Sequence, residues 1–128
     1  LLRADKRYLI LTQQPKVIKR FLQLDETIFQ GLNIKKNDFG LIVNFYKDEP
    51  YLQTKKGIAK ILDLNLVEVI QETPNGWLSE VENKILCTYD DGQYQKSILT
   101  IAKDIAHSMG IELAESPRKR RSLVRLFA

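Results

Sequence analysis

Residues 39–53, FGLIVNFYKDEPYLQ, are the stretch that decides the predicted fold. The first half, Phe39–Tyr46, is rich in β-branched and aromatic residues, which favour strands. The sequence DEP at residues 48–50 is typical of a turn. Residues 51–53 can then pair back onto the first strand. The stretch therefore predicts a β-hairpin.

A second hairpin is predicted further along the chain. Residues 67–71 alternate in the manner of a half-buried strand. Pro74-Asn75-Gly76 supplies a turn, and a second extended run follows from Trp77 to Tyr89. Residues 90–92, DDG, end this run.

Helical periodicity precedes the first hairpin. Apolar residues recur at helical spacing from Val17 to Leu32, and Pro15 suits the first position of a helix. We read two helices here, which end near Gly31. The short apolar run Tyr8–Leu11 fits more than one type of element.

Three more helices are predicted after residue 53. Thr54 can cap a short helix that ends at Leu62. The clearest amphipathic helix spans Ile98–Met109 and is closed by Gly110. A last helix begins at Ser116-Pro117, a cap followed by proline, and runs to residue 128.

These elements predict an α+β fold, in which a small antiparallel sheet of β-hairpins packs against helices. The length of 128 residues suits a single domain, residues 1–128. Within it we expect a helical amino-terminal part (residues 1–36), the hairpins and the core helix (residues 37–115), and a basic carboxyl-terminal helix (residues 116–128).

Charge is distributed unevenly over these three parts. The net charge is +4, but the three parts carry +5, −6 and +5 in chain order. Short cationic elements on a mildly acidic body indicate an anionic partner. A basic tail also occurs as a solubilising end, a membrane-surface patch or an oligomer contact, so charge alone leaves these alternatives open.

Composition excludes several kinds of chemistry. One histidine, His107, and one cysteine, Cys87, cannot form a zinc site or a disulfide within one chain. Neither a Walker-type loop nor a Gly-x-Gly-x-x-Gly sequence occurs, and no apolar run is long enough to cross a bilayer. We therefore expect an ATP-independent cytoplasmic protein, with neither a bound metal nor a cofactor.

The carboxyl-terminal segment is the most informative part of the sequence. Its cations are Arg118, Lys119, Arg120, Arg121 and Arg125. On a helix, Arg118, Arg121 and Arg125 share one face, while Leu123 and Phe127 lie roughly opposite and can dock on a core. Such a helix can contact several phosphates in a sequence-independent way. An ordinary solvated charged face is the alternative.

The same segment resembles a motif of a known family. Single-strand annealing proteins of the RecT, Red beta and ERF type, with the related eukaryotic annealing recombinase, carry the pattern Ala-x-Thr-x-x-x-Arg-Arg-Ala-Leu-Arg-x-Phe-Gly. The matching residues are Ala114, Ser116, Arg120, Arg121, Leu123, Arg125 and Phe127. Gly31-Leu32-Asn33 is similar to the family's Gly-Leu-Asn-Pro element, and residues 51–59 are similar to its strand-then-helix segment.

This resemblance implies a β-β-β-α core whose protomers assemble into rings or helical filaments. It also implies ATP-independent binding of single-stranded DNA and annealing of complementary strands in homologous recombination, at the nucleoid, with an exonuclease as a further candidate partner. The phosphate contacts carried over are Arg120, Arg121 and Arg125. Local charge adds Arg118 and Lys119, and the strand-helix junction adds Lys55 and Lys56.

Apart from the resemblance, the residues themselves support some of these expectations and offer alternatives to others. Exposed hairpin edges at residues 39–46 and 77–89 favour a homo-oligomer. Trp77 can stack on a base, although packing in a hairpin core is the commoner role of such a residue. Lys55 and Lys56 can equally be an ordinary solvated helix start.

Two other functions remain open. Glu82 and Lys84 on the second extended run, with Asp63 or Glu68 as a further ligand, can form the metal site of a nuclease. A small protein that coats DNA without annealing it is the other alternative.

Overall fold

Strands and helices alternate along the part of the chain that the computed structural model describes, which is residue 4 and residues 6–85, 89 and 92–113. In chain order the elements are strand β1 (Arg7–Leu11), helix α1 (Pro15–Leu24), strand β2 (Phe39–Tyr46), helix α2 (Lys55–Leu62), strand β3 (Asn65–Gln71), helix α3 (Pro74–Glu82) and helix α4 (Gly92–Ser108). A π-helical turn at Asp25–Phe29 prolongs α1, and a 3-10 turn at Lys36–Asp38 leads into β2.

The three strands form a parallel sheet in the order β1-β2-β3. Leu41 of β2 pairs with Leu9 of β1 on one side and with Leu66 of β3 on the other. The predicted antiparallel sheet of hairpins is therefore wrong, although helices and a sheet are both present. A helix connects each strand to the next, as parallel neighbours require.

Burial explains why β2 is not the first strand of a hairpin. The first five residues of β2, FGLIV, are all buried, and an unbroken apolar run is typical of a strand covered on both faces. Residues 51–53 lie outside the sheet in a turn, where the Leu52 amide donates to the Glu49 carbonyl at 3.0 Å. Tyr51 is 80% exposed.

The second predicted hairpin is also wrong, because Pro74-Asn75-Gly76 forms the first turn of α3. Thr73 caps this helix, and its Oγ1 accepts a hydrogen bond from the Asn75 amide at 3.3 Å. Proline at the first position of a helix has a suitable φ and leaves no hydrogen bond unmade. The run predicted to extend from Trp77 is therefore helical as far as Glu82.

The new topology removes the reason given for a homo-oligomer. Residues 39–46 form the central strand, and residues 40–43 are paired on both sides, so this part of β2 offers no free edge. In the part of the sheet that the structure describes, the edges are β1 and β3. Self-association stays a prediction without that support.

Helices α1 and α2 cover one face of the sheet. Crossovers between parallel strands are right-handed in nearly all proteins, and two such crossovers that step in the same direction place both helices on the same side. Leu41 and Val43 of β2 pack there with the buried residues of the two helices, which are Ile18, Phe21, Ile58 and Leu62. Phe39 adds ring contacts with Phe21 and Phe29 at centroid distances of 6.4 and 5.6 Å.

Helix α4 covers the other face. Successive residues of a strand point to opposite faces, so Tyr8, next to Leu9 on β1, points away from α1 and α2. On this second face the Tyr8 hydroxyl donates to Asp104 Oδ2 of α4 at 2.6 Å. Ser97 Oγ of the same helix donates to the Val69 carbonyl at 3.1 Å. Gly40 lies between Tyr8 and Val67, and a Cβ at this position would lie 2.7 Å from Val67 Cγ2. The close packing of this face therefore requires glycine.

Several helix predictions are confirmed. Pro15 occupies the start of α1, and the Oγ1 of Thr54 caps α2 by accepting from the Gly57 amide at 3.1 Å. Helix α4 includes most of the predicted amphipathic segment, and Gly110 follows it with a positive φ of 71°. The two helices expected near Gly31 are one helix and its π-helical extension, and Tyr8–Leu11 belongs to β1.

None of the helices within the described ranges combines the length and the apolar character that a membrane crossing needs.

The Tyr8–Asp104 contact predicts a specific pH dependence of stability. Burial, followed by the hydrogen bond and the charge of Asp104, raises the pKa of Tyr8 to about 12, whereas an unfolded tyrosine has a pKa of about 10. Folding therefore favours the protonated phenol. This contribution is complete below about pH 10 and is lost as the pH rises from about 10 to about 12.

We expect Tyr8→Phe to lower the free energy of unfolding by about 1 kcal/mol at neutral pH. The difference between the wild type and the variant should shrink above about pH 10. Urea unfolding of both proteins at about pH 8 and about pH 11 measures it. A constant difference across this range would show that the contact does not titrate.

Candidate nucleic-acid interface

The parallel sheet brings the amino-terminal ends of three helices to one edge. Helices α1, α2 and α3 begin at Pro15, Lys55 and Pro74, each shortly after the carboxyl end of a strand. In open parallel sheets, ligands bind outside the carboxyl ends of the strands where the strand order reverses. The described order β1-β2-β3 does not reverse, so the feature that this edge offers a ligand is the set of three helix amino termini, which are the positive ends of the helix dipoles. We call this edge the carboxyl edge.

A buried glutamine holds the carboxyl edge together. Gln13, which follows β1, is 6% exposed. Its Nε2 donates to the carbonyl oxygens of Lys47 and Gln53, both at 2.9 Å, and its Oε1 accepts from the Lys47 amide at 2.8 Å. These three bonds satisfy the amide and tie the loop before α2 to the start of α1.

A second set of contacts joins the ends of β2 and β3. The Glu72 amide donates to the Tyr46 carbonyl at 3.1 Å, which extends the strand pairing by one bond. Lys47 Nζ then contacts Glu72 Oε2 at 2.7 Å. Both side chains are partly exposed, so this ion pair adds little stability, but it leaves no net charge at this point of the edge.

The outer surfaces of α1 and α2 carry only positive charge. Their six cations, here called the basic layer, are Lys16, Lys19, Arg20, Lys55, Lys56 and Lys60, and all six are exposed. Neither helix contains an aspartate or a glutamate. None of the six forms an ion pair with any residue that the structure describes. The basic layer is therefore free to meet an external anion.

The position of three of these lysines is electrostatically unfavourable for the isolated fold. Lys16 lies in the first turn of α1, and Lys55 and Lys56 open α2, with no acidic residue in either first turn. The amino terminus of a helix is the positive end of its dipole and normally attracts acidic side chains. Lysines at two neighbouring helix starts therefore add to a positive potential that folding alone does not favour.

The opposite layer has a different charge pattern. Helix α4 carries Lys96 and Lys103 together with Asp104, which accepts from Tyr8 and lies 3.6 Å from Lys6 Nζ. On this side Lys6 forms an ion pair with Asp104, and the two lysines of α4 share their helix with that acid. The asymmetry between the two layers identifies the α1 and α2 side as the candidate anion-binding surface.

Two of the exposed aromatic side chains at the carboxyl edge line clefts there. Phe45 of β2 is 58% exposed, and Trp77 of α3 is 65% exposed. Both residues line two clefts, one of about 330 Å³ and one of about 400 Å³. The larger cleft also touches Gln14 and Pro15 at the start of α1. The aromatic pair therefore adjoins the end of α1 at which the basic layer begins.

The backbone at Phe45 is strained. Its φ is 51°, in the left-handed region where a bulky side chain is rare and costs free energy. The Phe45 amide donates to the side chain of its neighbour Asn44 at 2.9 Å, which supports this conformation. Strain of this kind is concentrated at functional sites.

The structure places only part of the predicted site. Lys55 and Lys56 lie in the basic layer, where the Lys55 amide also donates to the Tyr46 hydroxyl at 3.4 Å. The other predicted contacts, Arg118, Lys119, Arg120, Arg121 and Arg125, fall outside the described residues. The sequence reasoning missed Lys16, Lys19, Arg20 and Lys60. The absence of acids from both helices was the signal that pointed to them.

For Trp77, packing in a hairpin core was the role expected first, and stacking on a base was the alternative. The structure places it on a helix, largely exposed.

The nuclease alternative loses its structural basis. Glu82 ends α3 and does not lie on a strand; its Oε2 accepts from Lys84 Nζ at 2.8 Å and from the Tyr89 hydroxyl at 3.0 Å. These bonds lower the pKa of Glu82, chiefly through Lys84, and the same pairing raises the pKa of Lys84. No group of three potential metal ligands occurs among the described residues.

A scan against models of protein families finds no match, and searches of curated proteins and of solved structures find none.

Gln13 gives a direct test of how the carboxyl edge is held. We expect Gln13→Leu to lower the free energy of unfolding by about 2–4 kcal/mol, because it leaves the Lys47 amide and two carbonyls without their partner. Gln14→Leu is the matched control, since Gln14 is exposed and its side chain makes no capping hydrogen bond. It should change stability by less than about 0.5 kcal/mol. Urea unfolding measures both, and equal effects would contradict the assigned role.

Proposed function

We propose that this protein binds single-stranded nucleic acid, with the basic layer of α1 and α2 in contact with the phosphates. The observation that carries the proposal is the set of six exposed cations on two acid-free helices, none of them in an ion pair with a described residue. Binding of this kind needs neither ATP nor a catalytic residue, because release of counterions drives it.

The exposed aromatics favour a single strand over a duplex. Proteins that bind single strands combine a positive surface, which follows the backbone, with aromatic side chains, on which bases stack. Phe45 and Trp77 lie at the edge where α1 and α2 begin. In a duplex, the bases are already stacked and paired, so their faces cannot reach these rings.

Annealing of complementary strands is the finer form of this proposal. Phosphate contacts that leave base-pairing edges accessible allow a second strand to pair. The support for annealing is the sequence resemblance of residues 114–127, while the hairpin core that this resemblance implies is not formed.

Charge reversal in the basic layer tests the binding proposal. We expect Lys55→Glu with Lys56→Glu to weaken binding of a labelled single strand of about 20 nucleotides by about tenfold or more. The dependence of affinity on salt should also become shallower, because fewer counterions are released. Fluorescence anisotropy between roughly 50 and 200 mM salt measures both quantities.

The matched control reverses two lysines on the opposite layer. Lys96→Glu with Lys103→Glu changes the net charge by the same amount on α4, and both side chains are exposed. We expect a much smaller loss of affinity, because these positions lie across the sheet from the basic layer. Equal losses in the two variants would show that net charge matters and that the basic layer does not form a site.

A separate test addresses annealing and the carboxyl-terminal cations. We expect Arg120→Glu with Arg121→Glu to slow the pairing of two complementary labelled strands, because the variant loses two proposed phosphate contacts. The melting temperature is measured beside the rate, so that a loss of stability is recognised. Stopped-flow energy transfer between the strands measures the rate. If the variant pairs the strands as fast as the wild type, these arginines are not among the contacts. If the strands pair no faster with the wild-type protein than without protein, annealing is refuted.

A further inference from the structure

We infer that the groove between Phe45 and Trp77 is a base-binding subsite, in which one or two bases of a bound single strand stack while their phosphates lie on the basic layer. This inference rests on the proposed function and extends it, since it assigns a place for the bases. The experiment below separates the two.

The groove consists of two clefts that share the aromatic pair. Phe45 and Trp77 are the residues common to both linings. On one side the groove reaches Thr12 and the start of α1, and on the other it reaches Tyr94 of α4. A groove that crosses the strand ends in this way fits an extended chain better than a compact ligand.

The volumes and the lining chemistry suit planar aromatic groups. Each cleft holds a few hundred Å³, about 330 and about 400 Å³, the range of sites for small organic ligands. Base stacking on an exposed aromatic ring is worth about 1–3 kcal/mol per base and tolerates any sequence. Both rings at this edge are more than half exposed, so their faces are available.

Charge determines on which side of the groove the phosphates of a bound nucleic-acid strand lie. Glu80 lines the smaller cleft, and Glu72 in the larger cleft is neutralised by Lys47. Glu80 disfavours phosphates inside the groove, whereas the lysines at the starts of α1 and α2 attract them. The backbone is therefore drawn to the basic layer, which leaves the bases to enter the groove.

Phe45 itself supports a binding role. Its ring is held outward by a left-handed backbone conformation that asparagine or glycine would adopt at lower cost. Neither the core cluster nor any ring pair that the structure describes includes Phe45. The strained conformation therefore presents an aromatic face without serving the core.

The fluorescence of Trp77 can report on base stacking, because Trp77 is the only tryptophan in the chain. The probes are a twelve-nucleotide thymidine oligomer and an oligomer of the same length built of abasic sites. We expect both oligomers to bind in a salt-dependent way. Only the oligomer with bases should quench the Trp77 emission, and it should bind more tightly.

Variants assign the effect to the groove. Phe45→Asn removes the ring and retains a residue that suits the backbone conformation, so we expect the thymidine oligomer to lose about fivefold to a hundredfold in affinity. The affinity for the abasic oligomer should stay the same. Tyr51→Ala is the control, since Tyr51 is an exposed aromatic that lines neither cleft.

The outcomes separate the two proposals. Equal affinities for the two oligomers, with unchanged Trp77 emission, would overturn the base-binding subsite and leave the basic layer intact. A similar loss from Tyr51→Ala and Phe45→Asn would also overturn it, because the groove would then have no special role. If neither oligomer binds the wild-type protein, the proposed function itself is refuted.

Discussion

Burial of the central strand on both faces is the constraint on which the rest of this structure depends. Residues 39–43 of β2 are buried, so strands on both sides must hydrogen-bond to their peptide groups, and they do so in parallel. Parallel neighbours need helical connections, and the handedness of those connections places α1 and α2 on one side. The open face then requires its own cover, which α4 supplies. The convergence of three helix starts at one edge therefore follows from the way the core is closed.

The fold tolerates the unfavourable charges of the basic layer because each of its helices has two distinct faces. Ile18 and Phe21 of α1, and Ile58 and Leu62 of α2, are buried against the sheet. Burial of a large apolar side chain contributes about 1.5–3 kcal/mol, whereas an unfavourable charge at a helix end costs about 0.3–1 kcal/mol. The inner faces can therefore hold the helices in place while the outer faces keep lysines where the dipole disfavours them. Stability and charge are set by different residues of the same helix.

The sequence allowed some elements to be predicted and misled on others for identifiable reasons. Thr54, Pro15 and Gly110 act locally, through a capping hydrogen bond or a fixed φ, and the elements that they begin or end are confirmed. The direction of strand pairing is not local. Pro74-Asn75-Gly76 suits both a turn and a helix start, and the capping position of Thr73 decides between them. The unbroken run at residues 39–43 pointed to a strand buried on both faces, but a plausible turn after it outweighed that signal. Of the site, Lys55 and Lys56 were visible in the sequence, whereas their approach to α1 depends on the side chain of Gln13.

Because the strands are parallel, the loops at the two ends of the sheet differ in how well they accept an attached group or an inserted segment. The connections from α1 to β2 and from α2 to β3 lie at the end of the sheet opposite the carboxyl edge, and β2 has eight residues, so the two ends stand roughly 25 Å apart. The turn at Gly31–Asn33 is exposed and lies at this distant end. A fluorophore, an affinity tag or an inserted peptide loop at this turn would leave the helix starts unobstructed, and a protein tethered to a surface there would present its helix starts to the solution.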